Sequence, residues 1–380
     1  MQDALAQRIL AAVMGWKEDR LLAEQDVLQT LAQYKYDSYE QFEPGVKFVE
    51  SLAVWLSQFE QADREQAYGF VRRHLVFIST TEMGHLVRSV YPDQIRPIVR
   101  CAAATALKCS PFALSRIEGS SAFRALLRRS LFLGLSDGAR IDLFRRSSEA
   151  LDNEQVHAAY EISDEKLADM GRELVKALAA AHEPDPATFR FLFLLDDFAG
   201  TGTTMLRQKG DGSWTGRLKK VSDRLRRAAE LKVFDRSSLD VHVCLYVATR
   251  QALDYLDAHL PEFERSDAVW EPGRCRVHCV QELGATAAVP EGADQELDAL
   301  LSKYYSPQLE DRESYKVGAA GIKYGYGKCG LPLVIHHNAP NNSLFILWKS
   351  GNGGYAFTPL FPRFERHRGL VEDDSNAAGN

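Results

Sequence analysis

The chain has 380 residues, with 46 basic against 52 acidic side chains and a formal net charge of −6. That length accommodates two compact units, and the charge balance gives no bulk attraction for nucleic acid, so only local basic patches remain to be considered. Six cysteines are too few for a disulfide scaffold, the N-terminus lacks the basic-then-apolar order of a signal peptide, and no apolar run is long enough to cross a bilayer. The expectation is a soluble, cytoplasmic protein with no membrane partner.

From Met1 to about Arg129 the pattern is helical. Leu5, Ile9, Ala12, Val13 and Trp16 recur at helical spacing, as do Phe48, Leu52, Trp55, Leu56 and Phe59. Asp63 to Ser79 reads as a further helix, and Pro92 and Pro97 punctuate the segment after it. The basic pairs Arg72–Arg73 and Arg128–Arg129 suit either phosphate or a solvated helix face. Residues 1–129 are thus expected to form a helical N-terminal domain.

The character changes at Leu131–Leu135 (LFLGL), a short buried strand that runs into Ser136, Asp137, Gly138, Ala139 and Arg140. A strand followed by a Gly-containing turn and an arginine suits an anion. Val156 to Ile162 admits an extra strand, and Asp164 to Ala181 is an amphipathic helix with Leu167, Leu174, Val175 and Leu178 near one face. Pro184 and Pro186 break it. Phe191 to Leu195 is uncharged, as expected of a central parallel strand buried on both faces, and ends in Asp196 and Asp197. A helix is expected to start at Met205–Gln208, followed by a polar loop, KGDGSWTG.

Arg217 to Leu231 is a strongly basic helix, Val241 to Val247 a strand, Gln251 to Leu260 a helix and Arg276 to Val280 a short strand. The alternation predicts an α/β fold, an open and mainly parallel sheet with flanking helices, over residues 130–368. The run LPLVIHHNAPNNSLFILW supplies two strand-like stretches around a polar turn, and residues 369–380 read as a disordered tail. Cys275, His278 and Cys279 alternate within a strand and have no second ligand pair nearby, so they read as strand residues rather than a zinc site.

The chemistry concentrates in Asp196-Asp197-Phe198-Ala199-Gly200-Thr201-Gly202-Thr203-Thr204. Two adjacent carboxylates at the end of an apolar run repel each other and sit poorly in an apolar setting, so a ligand explains them better than packing does. Ionised acids accept hydrogen bonds from hydroxyls, whereas a Gly/Thr loop at a helix start offers donors to phosphate. The string resembles the phosphoribosyl-pyrophosphate (PRPP) signature of type I phosphoribosyltransferases: an apolar strand, two acids, small residues, then Thr-Gly and further Gly/Thr positions. The resemblance implies that Asp196 and Asp197 hold the ribose hydroxyls, with Mg²⁺ nearby, and that Ala199, Gly200, Thr201, Gly202, Thr203 and Thr204 cradle the 5′-phosphate. Ser136 to Arg140 looks like the pyrophosphate loop of the same fold, where a bound Mg²⁺ would offset Asp137.

With HNAPNNSLFILW and PLFPRFERH, the chain resembles a divergent phosphoribosyltransferase-like family of prokaryotic conflict and antiphage systems. Two departures stand out: no long flexible loop precedes the motif strand, and no acceptor-binding hood is recognisable at the N-terminus. A missing lid favours hydrolysis, base removal or binding without turnover. Trp214, Tyr326, Lys328, His336, His337, Asn338, Asn341 and Asn342 are candidates for the catalytic or acceptor region, although a turn is the better general reading of Asn341 and Asn342 and a histidine equally suits a structural role.

The reading is Mg²⁺-assisted phosphoribosyl transfer or N-glycosidic cleavage on PRPP or a ribose-5-phosphate-containing nucleotide, in antiphage defence. The alternative is a non-catalytic nucleotide-sensing or partner-binding module of a defence complex. Its protein or nucleic-acid partner would meet the helical half or the basic helix. A third reading makes the acids part of a metal-dependent phosphohydrolase.

Overall fold

The computed structural model describes residues 3–182, 187–310, 321–351 and 355–363. The expected tail at 369–380 and the expected break at Pro184 and Pro186 lie outside the described residues.

Nine apolar and acidic residues in succession, Phe191–Ala199, form β4, the middle strand of a five-stranded sheet. Its neighbours are β2 (Ser130–Gly134) and β7 (Asp240–Thr249); β3 (Val156–His157) and β8 (Cys275–Leu283) form the edges. All pairs are parallel, in the order β3-β2-β4-β7-β8. In chain order this is second, first, third, fourth, fifth, a doubly wound arrangement whose direction reverses between β2 and β4. The apolar run continues through both acids because β4 keeps its register with β7 up to Ala199 and Ala248. The extra strand expected at Val156–Ile162 is confined to two residues.

One face of the sheet (Leu192, Leu194, Val241, Val243 and Leu245) packs in a common core with α10 (Asp164–Ala180), α11 (Arg217–Glu230) and α12 (Arg250–Ser266). On the other face Phe132 stacks on Phe193 at 5.2 Å, and Phe193 stacks on His242 at 5.1 Å. A π-helical turn, Val90–Ile95, packs on β7 and β8. Pro92 lies within that turn and Pro97 in the first turn of α6 (Arg96–Ala106), where the missing N–H costs nothing. The basic side chains of α11 are largely answered within the unit. Arg224 and Arg227 meet Asp164 at 2.8 and 2.9 Å, and Lys219 and Arg226 meet Asp267 at 3.2 and 2.9 Å.

No helix begins at Met205. Instead β5 (Arg207–Gln208) turns back on β6 (Trp214–Thr215) in an antiparallel hairpin. Gly212, at φ +81°, and the Asp211 carboxylate, which accepts from the Ser213 N–H at 2.9 Å, make the turn. The basic helix expected at Arg217–Leu231 follows the hairpin, over Arg217–Glu230.

The chain divides into two compact units: Thr81–Ala288, which holds the sheet, and a unit of Met1–Thr80 with Val289–Asn380. This boundary differs from the expected 1–129 and 130–368, because long-range pairing overrides sequence order. In the second of these units α1 (Asp3–Met14), α2 (Glu18–Tyr34), α3 (Phe48–Ser57) and α4 (Arg64–His74) form the helical N-terminal region. The expected helix to Ser79 ends at His74, because Val76–Ile78 (β1) pairs in parallel with Leu333–Ile335 (β9). Trp55 donates to the Ile346 carbonyl at 2.9 Å, and Ser51 to that of Leu360 at 2.7 Å, so the chain's two ends share one core.

Replacing Phe193 by Ala removes the ring on which Phe132 and His242 stack. The expected loss is about 3–5 kcal/mol, read as a lowered midpoint of chemical denaturation.

Candidate functional site

Open α/β sheets bind ligands outside the carboxyl ends of their strands, where the winding reverses. Here that place lies between β2 and β4, and the two loops leaving it are Ser136–Arg140 and, after the acids near the end of β4, Gly200–Thr204. Both belong to the sheet unit.

Consecutive strand residues start toward opposite faces, yet the two carboxyls stay close enough for one Ser136 hydroxyl to reach both. Asp196 turns with Leu192 and Leu194 toward α11 and is 0 % exposed. The Ser136 hydroxyl donates to its Oδ1 at 2.5 Å, and its Oδ2 accepts from Arg217 Nη1. Asp197 is half-buried, with its Oδ1 3.4 Å from the same Ser136 hydroxyl. Its carboxylate lies against Gly138, where an added Cβ would stand 2.3 Å from Oδ2, so any larger residue there would displace the Asp197 carboxylate. The expectation that both acids face a sugar is therefore corrected for Asp196, which is enclosed by its own partners.

Burial first, then the neighbouring Asp197, push the Asp196 carboxyl up to about 7, and Arg217 and Ser136 only partly offset this.

The loop after β2 is a 3₁₀ turn, Asp137–Ala139, followed by Arg140 at φ 46° and ψ 44°. A right-handed turn leading into a left-handed residue is the backbone pattern of an anion nest, although here the Ala139 N–H closes on the Ser136 carbonyl at 3.1 Å. A non-glycine residue there costs about 1–2 kcal/mol. Tyr246 holds the turn: its buried hydroxyl donates to the Ala139 carbonyl. Burial and then Asp196 raise the Tyr246 hydroxyl well above its usual range, so it stays a donor. Nothing in the sequence reading singled out Tyr246; the available signal was a polar-tipped ring within the buried run VHVCLYVAT.

After β4, Ala199 closes the strand and the Gly200 carbonyl accepts from Thr249 Oγ1, which also caps α12 by accepting from the Ala252 N–H at 3.0 Å. Gly202 has φ +77°, and a Cβ there would stand 2.9 Å from Tyr255. Thr201 and Thr203 share a hydrogen bond at 2.7 Å, and Thr204 is exposed. The cradle is thus a free-standing turn and not the start of a helix. The first N–H groups of α11 instead close on the carbonyls of Thr204 (3.1 Å) and Met205 (2.9 Å). That closure brings Arg217 beside the motif. The sequence reading treated Arg217 only as the start of a basic helix, although a cation at a first helical position, against the helix dipole, was a visible signal.

Of the remaining expected residues, Trp214 belongs to the sheet unit. Trp214 is core: its indole N–H donates to Ser266 at 2.9 Å, and its ring meets Phe263 edge-on. The others belong to the unit of the two chain ends. His336 is buried with Nε2 3.6 Å from Glu40, and the His337 carbonyl accepts from Gln41 at 3.0 Å. Asn338 forms a turn with Ile335. The Asn341 carbonyl accepts from the Tyr326 N–H at 2.7 Å, and the Asn342 amide donates to the Tyr326 carbonyl at 3.1 Å. Lys328 is exposed, 3.4 Å from Glu291. Asn341 and Asn342 lie in a turn.

Among the described residues no group of three or more His, Cys, Asp and Glu side chains is arranged to hold a metal. His278 instead meets His242 at 3.0 Å, and burial depresses both rings, His242 to about 3. No helix among the described residues is long and apolar enough to cross a membrane.

The sequence matches the family described as PRTase-CE over residues 52–363, more than half of the chain. The protein belongs to the PRTase-CE family. That span takes in both loops of the crevice, and membership supports a phosphoribosyltransferase-like chain and phosphoribosyl-transfer chemistry in general. No curated protein and no solved structure matches this PRTase-CE chain.

Because the folded state raises the Asp196 carboxyl, the unfolded chain binds fewer protons between about pH 4 and pH 7. Stability due to this group is fully present below the unfolded value and is lost as pH rises through about 7. The loss amounts to at most about 4 kcal/mol. Urea unfolding across that range is expected to show the decline, and Asp196→Asn is expected to flatten it.

Proposed function

We propose that the protein binds a 5-phosphoribosyl ligand, PRPP or a nucleotide carrying ribose 5-phosphate, in the β2/β4 crevice, and transfers or releases the group at C1′. The observation that carries this reading is the placement of a half-buried carboxylate, Asp197, between an anion nest and a Gly/Thr turn at the switch point of the sheet. Asp197 accepts hydrogen bonds from ribose hydroxyls, Gly200 to Thr204 receive the 5′-phosphate, and Ser136 to Arg140 receive the pyrophosphate. Asp196 supports the site from behind.

In the transfer, the bond from C1′ to the pyrophosphate oxygen breaks, and a new bond forms from C1′ to a nitrogen or oxygen acceptor. The acceptor's proton leaves to solvent and the electron pair stays on the pyrophosphate. The transition state carries oxocarbenium-like positive charge, so the protein contributes positioning and a field suited to that charge. Mg²⁺ fits as an ion carried by the substrate: Asp137 and Asp197 are the accessible carboxylates that would hold it, with phosphates and water as its other ligands. When bound, it would offset the charge of the leaving pyrophosphate. A place in antiphage defence rests on the resemblance carried by the motif and the paired asparagines.

Wild-type protein is expected to bind PRPP with Mg²⁺ and to release pyrophosphate in the presence of acceptor or water. Asp197→Asn is expected to lower that release by about 10–100-fold, the worth of hydrogen bonds to a charged group. Binding without release in the wild type would favour a nucleotide sensor, and absence of PRPP binding would end the ligand assignment.

A further inference from the structure

We propose that Arg217 is the cationic anchor for a phosphate group of the bound ligand and that buried Asp196 is the residue that aims it. This rests on the phosphoribosyl reading above and adds the source of positive charge for the loop after β4. That loop, AGTGTT, carries no basic side chain of its own. A phosphate dianion held only by neutral donors is held weakly compared with one that also meets a guanidinium.

Arg217 is the first residue of α11, and its own N–H donates to the Thr204 carbonyl at 3.1 Å, so its backbone is fixed to the last residue of the loop. The guanidinium is tied by Nη1 to Asp196 Oδ2, while the side chain keeps 19 % exposure. An arginine has five N–H donors in a planar fork. One edge directed at a fixed carboxylate leaves the others for a second anion in the same plane.

The charge arrangement points the same way. A cation at the start of a helix is unfavourable, and a fully buried carboxylate is costly. Together they offset one another, and Ser136 fixes the far oxygen of Asp196, so the guanidinium plane is set before any ligand arrives. The first N–H groups of α11 are already bonded to Thr204 and Met205, which leaves the side chain and not the helix end as the donor. Other basic residues of α11 are turned away: Arg224 and Arg227 to Asp164, and Lys219 and Arg226 to Asp267.

The test uses the full chain, ribose 5-phosphate as probe and phenylglyoxal modification of arginines mapped by mass spectrometry. In the wild type, ribose 5-phosphate is expected to bind and to protect Arg217 from modification. Arg217→Gln is expected to weaken binding by about 10–100-fold. In Asp196→Asn the Arg217 modification rate is expected to rise as affinity falls, a change that loss of packing alone would not confine to that arginine. If the wild type binds and Arg217 is unprotected, or if Arg217→Gln binds equally well, this inference is overturned and the phosphoribosyl reading stands. If the wild type does not bind, both are overturned. Should Arg217→Gln fail to fold, protection in the wild type decides, and an unchanged modification rate in Asp196→Asn overturns the aiming role.

Discussion

A carboxylate with no exposure to water must be answered from within, and Asp196 is answered from two directions. Ser136 reaches it from the loop after β2, and Arg217 reaches it from the start of α11. Three segments far apart in sequence therefore converge on one pair of oxygens at the carboxyl end of the sheet. Removing one member of a buried ion pair generally costs about 3–5 kcal/mol, because the other is left uncompensated. The crevice between β2 and β4 takes its shape from this convergence: the same serine that holds Asp196 also lies near Asp197.

Around that point the crevice is organised in advance. Arg140 is held in a left-handed conformation that it would not choose alone, and the Tyr246 hydroxyl on the Ala139 carbonyl keeps it so. Gly138 and Gly202 stand where any side chain would collide, with Asp197 in one case and with Tyr255 in the other. Rigid turns of this kind spare a ligand the cost of ordering the loops that receive it.

Much of the sheet was legible in sequence because its evidence is local. The uncharged run Phe191–Leu195 and the apolar spacing of Leu167, Leu174 and Leu178 specify a buried strand and a one-sided helix with no reference to distant residues. The hairpin after the motif was not legible: Met205 to Gln208 favours helix locally, and only the turn at Asp211–Ser213 and the closure of α11 on Thr204 decide otherwise. The domain boundary was hidden for a stronger reason. Val76–Ile78 becomes a strand only through Leu333–Ile335, and no window of sequence holds both. At the site, the motif located the crevice, yet the full burial of Asp196 beside a half-buried Asp197 follows only once the strand is known to continue through them. Arg217 was read as one charge in a basic helix because its partner lies on another element.

The shared core of the two chain ends bears on the order in which the protein comes into being. During synthesis the helices of residues 3–74 emerge with part of their core unmatched, since Ile346 and Leu360, which accept from Trp55 and Ser51, follow 291 and 309 residues later. The sheet segment, complete by Ala288, has all its strands before then. A nascent chain of this design completes its five-stranded sheet before the core around Trp55 can close, so chaperone demand falls on the helices of residues 3–74.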